Sequence, residues 1–386
     1  MNDILSTIRT GIESVQRAVR SDNFAAEYGY DEDLLRVVLR KSSLVLLEQD
    51  PLLLLTYSPN AQFVIPREGL DWTPAMLVSR GVVIHAQTAE VVLFPFHKFF
   101  NLGEHPVWGD PQRIKNVVSV TEKMDGIMIQ FGYFRNELIC ASRHKLFSPA
   151  ANQALQMLEA SKVKVPHGYT LICELVHEQY PPPNPARVRY PQNGLYLLFL
   201  RDMRSFALIP ASAFYGEQQV APPVYLPRQY QATRIEDIRQ IIQDEEKDRR
   251  IEGVVVQDSE GKGNLLVKVK SLGYLEGLLV MRNLSLQTLL EKYKTEGLDA
   301  LDSLIATYAE VEWLQETEAS RLAELIRATE EKVREEVATY QQAKTVQEIP
   351  EPMRWVWGYR GTPEKMERAI RITVCHRIER EVRELK

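Results

Sequence analysis

Three short segments of this sequence hold residue types that could carry phosphoryl or nucleotidyl chemistry. The first is Glu122-Lys123-Met124-Asp125-Gly126, set between two β-type runs. A lysine is a useful nucleophile only after its amine loses a proton, and burial or a neighbouring cation moves it towards that state. An aspartate two residues on can organise a metal or hydrogen-bond a substrate. A glycine after it lets the backbone pass close to a ligand. Alone, Lys-x-Asp-Gly is a weak signal, which a surface turn explains as well. The second segment, Ile251-Glu252-Gly253-Val254-Val255-Val256, sets an acid and a glycine at the mouth of an apolar strand. The acid suits a metal or ribose contact, and equally a charged strand cap. In the third, Leu266-Val267-Lys268-Val269-Lys270, residues alternate. Side chains two apart in a strand share a face, so Lys268 and Lys270 point one way and Val267 and Val269 the other. Two cations on one face can grip a polyphosphate and depress the pKa of a third amine. An ordinary solvated face is the plainer reading of this segment by itself.

The elements that must position these residues are legible in the apolar spacing. Ile4, Ile8, Ile12, Val15 and Val19 recur at helical steps, which predicts helix over the first ~40 residues. From about Ser43 the texture is β: Leu44–Leu47, Leu52–Tyr57, Val82–Ile84 and Val91–Phe94, then Val117–Val120, Ile127–Phe134 and Leu138–Ala141, with Arg135-Asn136 as a hairpin turn. A helix over Asn152–Ala160, strands at Leu171–Val176 and Leu195–Leu200, and a helix near Ile235–Asp244 follow. The last β pair, Gly253–Gln257 and Leu265–Val269, is joined by a turn-like run, Asp258 to Gly263. After about Ser271 the β signals stop. Val311, Leu314, Leu322, Leu325, Ile326, Val333 and Val337 then fall on helical spacing, and Thr362-Pro363 opens a last helix. The chain therefore divides into an α+β domain, about 1–272, and an all-α domain, about 273–386. Prolines 181–183 and 185 read as a restricted loop within the first domain, because β signals resume on both sides.

Composition bounds the rest. The net charge is −5, so nucleic-acid binding must come from a local patch and not from a global basic field. Cys140, Cys173 and Cys375 are far apart and form no Cys-x-x-Cys pair, which argues against a structural zinc site and against a disulfide framework. The seven histidines show no metal-ligand spacing. The start carries charges throughout, and the apolar run near Leu44–Leu55 is broken by Glu48, Asp50 and Pro51. A cytoplasmic protein with no membrane span is expected.

Order and context raise the weight of the three segments. Lys-x-Asp-Gly at 123–126, Glu174 within Leu171–Leu175, Glu252-Gly253 and Lys268-Val269-Lys270 resemble the motif series of the covalent nucleotidyltransferases. That superfamily contains DNA ligases, RNA ligases and messenger-RNA capping enzymes. Upstream, Ser79-Arg80-Gly81-Val82-Val83 and the segment Phe94 to Glu104 look like the stretch before the nucleophile in the bacteriophage-type RNA ligase 1 family. The resemblance runs from about Ser79 to Tyr274. It implies a nucleotidyltransferase (ligase adenylation) domain with an antiparallel-sheet core, followed by a family-specific helical domain.

The resemblance also implies roles. Lys123 matches the lysine that carries the adenylate, and Glu122 and Gly126 flank it in the same motif. Arg80 matches an arginine near the nucleotide, Lys98 a basic residue near the outer phosphates, and Phe100 an aromatic in that segment. Arg143 falls where a basic residue is usual, although the local pattern departs from the family's and Lys145 could serve instead. Glu174 and Glu252 match acids linked to ribose or metal, with Asp125 a further metal partner. Lys268 and Lys270 match the pair at the α-phosphate, and Tyr274 a tyrosine just beyond. The implied activity is ATP-dependent joining of RNA 5′-phosphate and 3′-hydroxyl ends, with magnesium or manganese. A DNA ligase or capping enzyme would carry an oligonucleotide-binding barrel of short strands after the last lysine motif, where this sequence offers helices. An idle binding module would have no chemical need for the full set of charged residues.

Overall fold

The computed structural model describes residues 3–47, 50–180, 188, 190, 192–216, 220–275, 285–307, 318–359 and 361–384. Prolines 181–183 and 185, Val311 and Leu314 lie outside the described residues. The apolar stripe at the start becomes a helix, Ile4–Ser21, capped by the Asp3 carboxylate, which accepts from the amides of Leu5 and Ser6. It buries Ile4, Ile8, Ile12 and Val15. Each such aliphatic contributes roughly 1.5–3 kcal/mol relative to exposure. Two shorter helices, Phe24–Tyr28 and Glu32–Val38, complete this stretch.

In chain order the strands are β1 (Leu39–Leu47), β2 (Asp50–Tyr57), β3 (Arg80–His85), β4 (Val91–Leu93), β5 (Phe100–Asn101), β6 (Val117–Glu122), β7 (Ile127–Phe134), β8 (Glu137–Ser142), β9 (Tyr169–Val176), β10 (Gly194–Asp202), β11 (Leu208–Pro210), β12 (Val224–Tyr225), β13 (Gln229–Tyr230), β14 (Gly253–Asp258) and β15 (Leu265–Lys270). They form three sheets, ordered β1-β2-β3-β4, β11-β10-β9-β7-β8 with β12 on β10, and β13-β6-β14-β15-β5. Pairing is antiparallel except for two-residue parallel contacts of β12 with β10 and β5 with β15. The fold is α+β with an antiparallel-sheet core. The β7–β8 turn is the expected one: Arg135 and Asn136 both take positive φ (50° and 67°), the backbone that matches the twist of a two-residue hairpin. The loop before β15 is tighter than a plain turn, a short helical stretch with Gly261 and Lys262 both left-handed (φ 59° and 58°).

Two compact units result, Met1–Leu275 and Glu276–Lys386. The second is helical: Leu286–Glu296, Leu298–Thr307, Glu318–Gln341 and Pro363–Glu384 are its long elements. Leu289, Tyr293, Ile326, Val333, Val337, Val374 and Ile378 form its core, and Trp355 and Trp357 pack against it half-buried. Among the described residues no helix is long and apolar enough to cross a membrane.

Candidate active site

Strand register assembles the site. β6 pairs with β14, with Glu122 opposite Val254, and the Lys123 amide continues that ladder by donating to the Gly253 carbonyl at 2.9 Å. β14 pairs with β15, with Gly253 opposite Lys270 and Val255 opposite Lys268. Lys123, Glu252 and the two β15 lysines are thus neighbours, although about 130 residues separate them in sequence. Gly253 sits at φ 141°, and a Cβ there would be driven into the Val269 carbonyl. Gly126 is needed for close approach: a Cβ would meet the Leu175 backbone and the Glu174 side chain on β9. Gly253→Ala should therefore cost about 1–3 kcal/mol through overpacking, and a urea titration that found wild-type stability would contradict this account of the crossing.

A cleft of about 200 Å³ opens over these strands. Arg80, Lys123, Glu174, Glu252, Lys268 and Lys270 supply its charge, and Phe96, Phe99, Met128, Phe199 and Val255 its apolar wall. At its centre the Lys123 amine donates to Glu252 Oε2 at 2.5 Å, and Lys270 pairs with the other oxygen, Oε1, at 3.1 Å. Glu252 is almost fully buried, at 4% side-chain exposure, whereas Lys123 keeps 22% and so remains reachable from the cleft. Lys268 reaches over the Phe99 ring at 4.9 Å and Lys270 over Tyr274 at 4.7 Å. Val267, on the opposite face, is buried.

The electrostatics differ from the simple expectation of a lysine depressed by its neighbours. Burial pushes the Lys123 amine down, but Glu252 and then Glu174 outweigh it and hold it above the usual lysine value. Lys268 is the depressed amine: burial, then Arg80, Lys123 and Lys98, push it well below the ordinary value. Burial pushes Glu174 up to about 7, with Lys123 opposing. Glu252 stays below the usual carboxylate range because Lys123 and Lys270 overcome its burial.

The remaining sequence candidates fall in three other settings. Lys98, Phe100 and Arg143 gather around Tyr57 and Trp72. The Lys98 amine lies 4.3 Å from the Trp72 ring, 4.4 Å from Phe100 and 5.8 Å from Tyr57, and Arg143 lies 4.3 Å from the Tyr57 ring. Burial pushes the Tyr57 hydroxyl up, but Arg80, Arg143 and Lys98 outweigh it and leave it below the usual tyrosine value. Among the described residues no carboxylate makes a contact ion pair with Arg80, Lys98, Arg143 or Lys268, and Glu104 and Glu174 act on three of them only at longer range, so this side of the site is a cationic wall suited to an anion. Phe100 is buried beneath it and does not line the cleft. Asp125 is engaged elsewhere: its carboxylate accepts from the Val188 amide at 2.9 Å and from the Tyr274 hydroxyl at 3.5 Å. Glu122 faces the cleft, but its two carboxylate oxygens are held by Arg249 at 2.7 and 2.8 Å. Asp125, Glu174 and Glu252 do not form a metal cage. Among the described residues no group of three His, Cys, Asp or Glu side chains has that arrangement.

Phe99 lines the cleft, and Tyr57, Trp72 and Arg249 contact the charged candidates Lys98, Arg143 and Glu122; the sequence reading missed all four. Phe99 could have been found, because it lies between Lys98 and Phe100 in a segment already singled out. Tyr57 and Trp72 come from distant segments with no charged motif around them.

A family model described as RNA ligase matches residues 78–273, just over half of the chain. This chain belongs to the RNA ligase family. Within that family, an RNA ligase-named protein of Thermovibrio ammonificans is 27% identical over 212 residues, 52% of this chain and 53% of that one. RNA ligase 1 of bacteriophage TS2126 is 33% identical over 139 residues, 32% of this chain and 34% of its own. The chain thus spans about half the length of the first relative and about a third of the second. Among solved structures, an archaeal ATP-dependent RNA ligase is similar at 16% identity and a TM-score of 0.44, covering 82% of both chains. A Naegleria gruberi RNA ligase with PPi follows at 15% identity and 0.37, covering 64% of this chain and 82% of that one.

Proposed function

We propose that this RNA ligase family member is an ATP-dependent RNA ligase that joins 5′-phosphate and 3′-hydroxyl ends through an adenylate on Lys123. The observation that carries the reading is the Lys123 amine, reachable from the cleft and hydrogen-bonded at 2.5 Å to the buried Glu252 carboxylate, beside Lys268 and Lys270. In the first step the Lys123 ammonium, 22% exposed, releases its proton to water in the cleft, while Glu252, held below the usual carboxylate range, orients the amine. The freed amine forms a nitrogen–phosphorus bond to the α-phosphate of ATP, and the bond to pyrophosphate breaks. Lys268 and Lys270 hold the α-phosphate, and Arg80, Lys98, Arg143 and Tyr57 face the departing pyrophosphate. In-line placement and neutralised oxygen charge are what such a transfer requires. A 5′-phosphate oxygen then attacks the adenylate and releases Lys123. Finally a 3′-hydroxyl attacks the activated 5′-phosphorus and AMP leaves.

Magnesium or manganese fits this donor set only as an ion carried largely by substrate phosphates and water, since that is how Mg²⁺ binds where one or two carboxylates are on offer. Glu174 is the carboxylate that would meet it first, because Asp125 is bonded to Val188 and Tyr274 and both Glu252 oxygens are paired with Lys123 and Lys270. When bound it supplies positive charge that favours the neutral amine and offsets the phosphate oxygens.

The catalytic assignments all lie within 1–272, read as the adenylation domain, and the helical domain, 273–386, is assigned to choosing the RNA. Arg327, Lys332 and Arg334 there are interspersed with glutamates, and Arg334 and Arg327 are ion-paired with Glu367 and Asp302, so no general phosphate-binding stripe runs along its described residues. A chain truncated near Met281 is expected to keep Lys123 labelling and to lose preference among RNA ends. A soluble, folded truncation that no longer labels would overturn that division of labour. The protein is assigned to the cytoplasm. The substrate class is tested with a 5′-phosphorylated strand, ATP and magnesium: an adenylated 5′ end and a joined product with RNA, at a higher rate than with DNA, is the expected result. Equal or faster joining of DNA would move the assignment to a DNA ligase.

A further inference from the structure

The Glu122–Arg249 pair lies at the edge of the cleft, with Glu122 lining it and Arg249 largely buried behind. Both carboxylate oxygens of Glu122 accept from the two terminal nitrogens of Arg249, at 2.7 and 2.8 Å. Such a fork is fixed in both distance and plane. The Glu122 side chain is 4% exposed and that of Arg249 27%. The same guanidinium donates to Glu245 at 2.9 Å, in the helix Ile235–Asp248, and to the Tyr230 hydroxyl on β13 at 3.2 Å. Glu122 is the residue before Lys123, and Arg249 stands three residues before Glu252. One side-chain cluster thus pins the backbone on both sides of the Lys123–Glu252 contact.

We propose that Arg249 and Glu122 are positioning residues that aim the Lys123 amine at the α-phosphate. This deepens the ligase reading and rests on it. The chemistry gives the proposal a sharp consequence. The first two steps form and break the bond at Lys123, whereas the third, attack of a 3′-hydroxyl on an already adenylated 5′ end, does not involve Lys123. A device that aims Lys123 must affect the first two steps and spare the third. A strut that merely stabilises the fold must affect all three alike.

The experiment compares wild type with Arg249→Gln, Arg249→Lys and Glu122→Gln in the full chain. It measures the single-turnover rate of self-labelling at saturating ATP, the KM for ATP, and joining of a chemically pre-adenylated RNA strand. A misplacement of the amine by about 1 Å is expected to slow labelling by about 100-fold in Arg249→Gln. The KM and the joining of the pre-adenylated strand should both stay within about threefold, the level at which the transition-state arithmetic gives under 1 kcal/mol. Arg249→Lys keeps the charge but loses the fork, so its labelling should fall between the two. A fall in all three readouts together, or a raised KM with an unchanged rate in Glu122→Gln, would overturn the proposal. The latter would make Glu122 a nucleotide contact. If Arg249→Gln does not fold, Glu122→Gln, which keeps size and one hydrogen bond, delivers the same comparison. Joining of the pre-adenylated strand by wild type without any self-labelling would instead defeat the Lys123 reading itself, a separate outcome.

Discussion

Lys123→Ala is expected to abolish the covalent adenylate while leaving the fold intact. The side chain contributes little packing, since it keeps 22% exposure and its polar contact is with Glu252. Glu252 retains Lys270 as a partner at 3.1 Å in the variant, so no uncompensated buried carboxylate is created. Label should fall below detection, because Lys268 and Lys270, the other lysines lining the cleft, are assigned to holding the α-phosphate and not to attacking it. Lys123→Arg should fail as well, since a guanidinium stays protonated and cannot attack. Thermal melting of both variants close to wild type, with label absent, is the expected pair of results. Labelling of Lys123→Ala at the wild-type rate would remove the core of the argument.

The second large effect is on β15. Lys268→Ala and Lys270→Ala should each slow adenylation by roughly 10²–10³-fold, the usual loss when one preorganised group facing transition-state charge is removed. Stability should change little, because Lys268 is repelled by Arg80, Lys123 and Lys98 in the free protein. Its removal relieves that repulsion. Val267, on the other face, is 1% exposed, and Val267→Ala should show the reverse bias: about 0.5–3 kcal/mol of lost stability with adenylation retained. Adenylation rates and melting curves on the three variants check the contrast. Equal losses of rate across both faces of the strand would refute the assignment of faces.

The parts of the site that were legible in the sequence are those written in strand periodicity. Lys268 and Lys270 share a face because the period is two, and the structure turns both into the cleft. The Ile4–Val19 stripe and the Arg135-Asn136 hairpin were likewise readable from local spacing. What was not legible depends on contacts between distant segments. Tyr57 and Trp72 reach Lys98 across more than twenty residues of chain, and nothing local marks them. Glu122 reads as part of the nucleophile motif, yet its partner Arg249 lies 127 residues on. The sign of the Lys123 shift was also beyond the sequence. Two cations nearby suggested a depressed amine, but the Glu252 carboxylate, hydrogen-bonded at 2.5 Å, and then Glu174 outweigh burial and reverse the outcome. The helices Leu286–Glu296 and Leu298–Thr307 were covered only by the general expectation of an all-α tail. Each is short, and a ten-residue window gives a weak periodic signal.

One measurement tests the Lys123 adenylate most directly. The full chain is incubated with α-labelled ATP and magnesium, with labelled GTP in parallel, then denatured, resolved by electrophoresis, digested and mapped. A single label from ATP and not from GTP is expected, on the peptide containing Lys123, released as AMP by acid as a nitrogen–phosphorus bond requires. No covalent label, or a label on a residue other than Lys123, would contradict it.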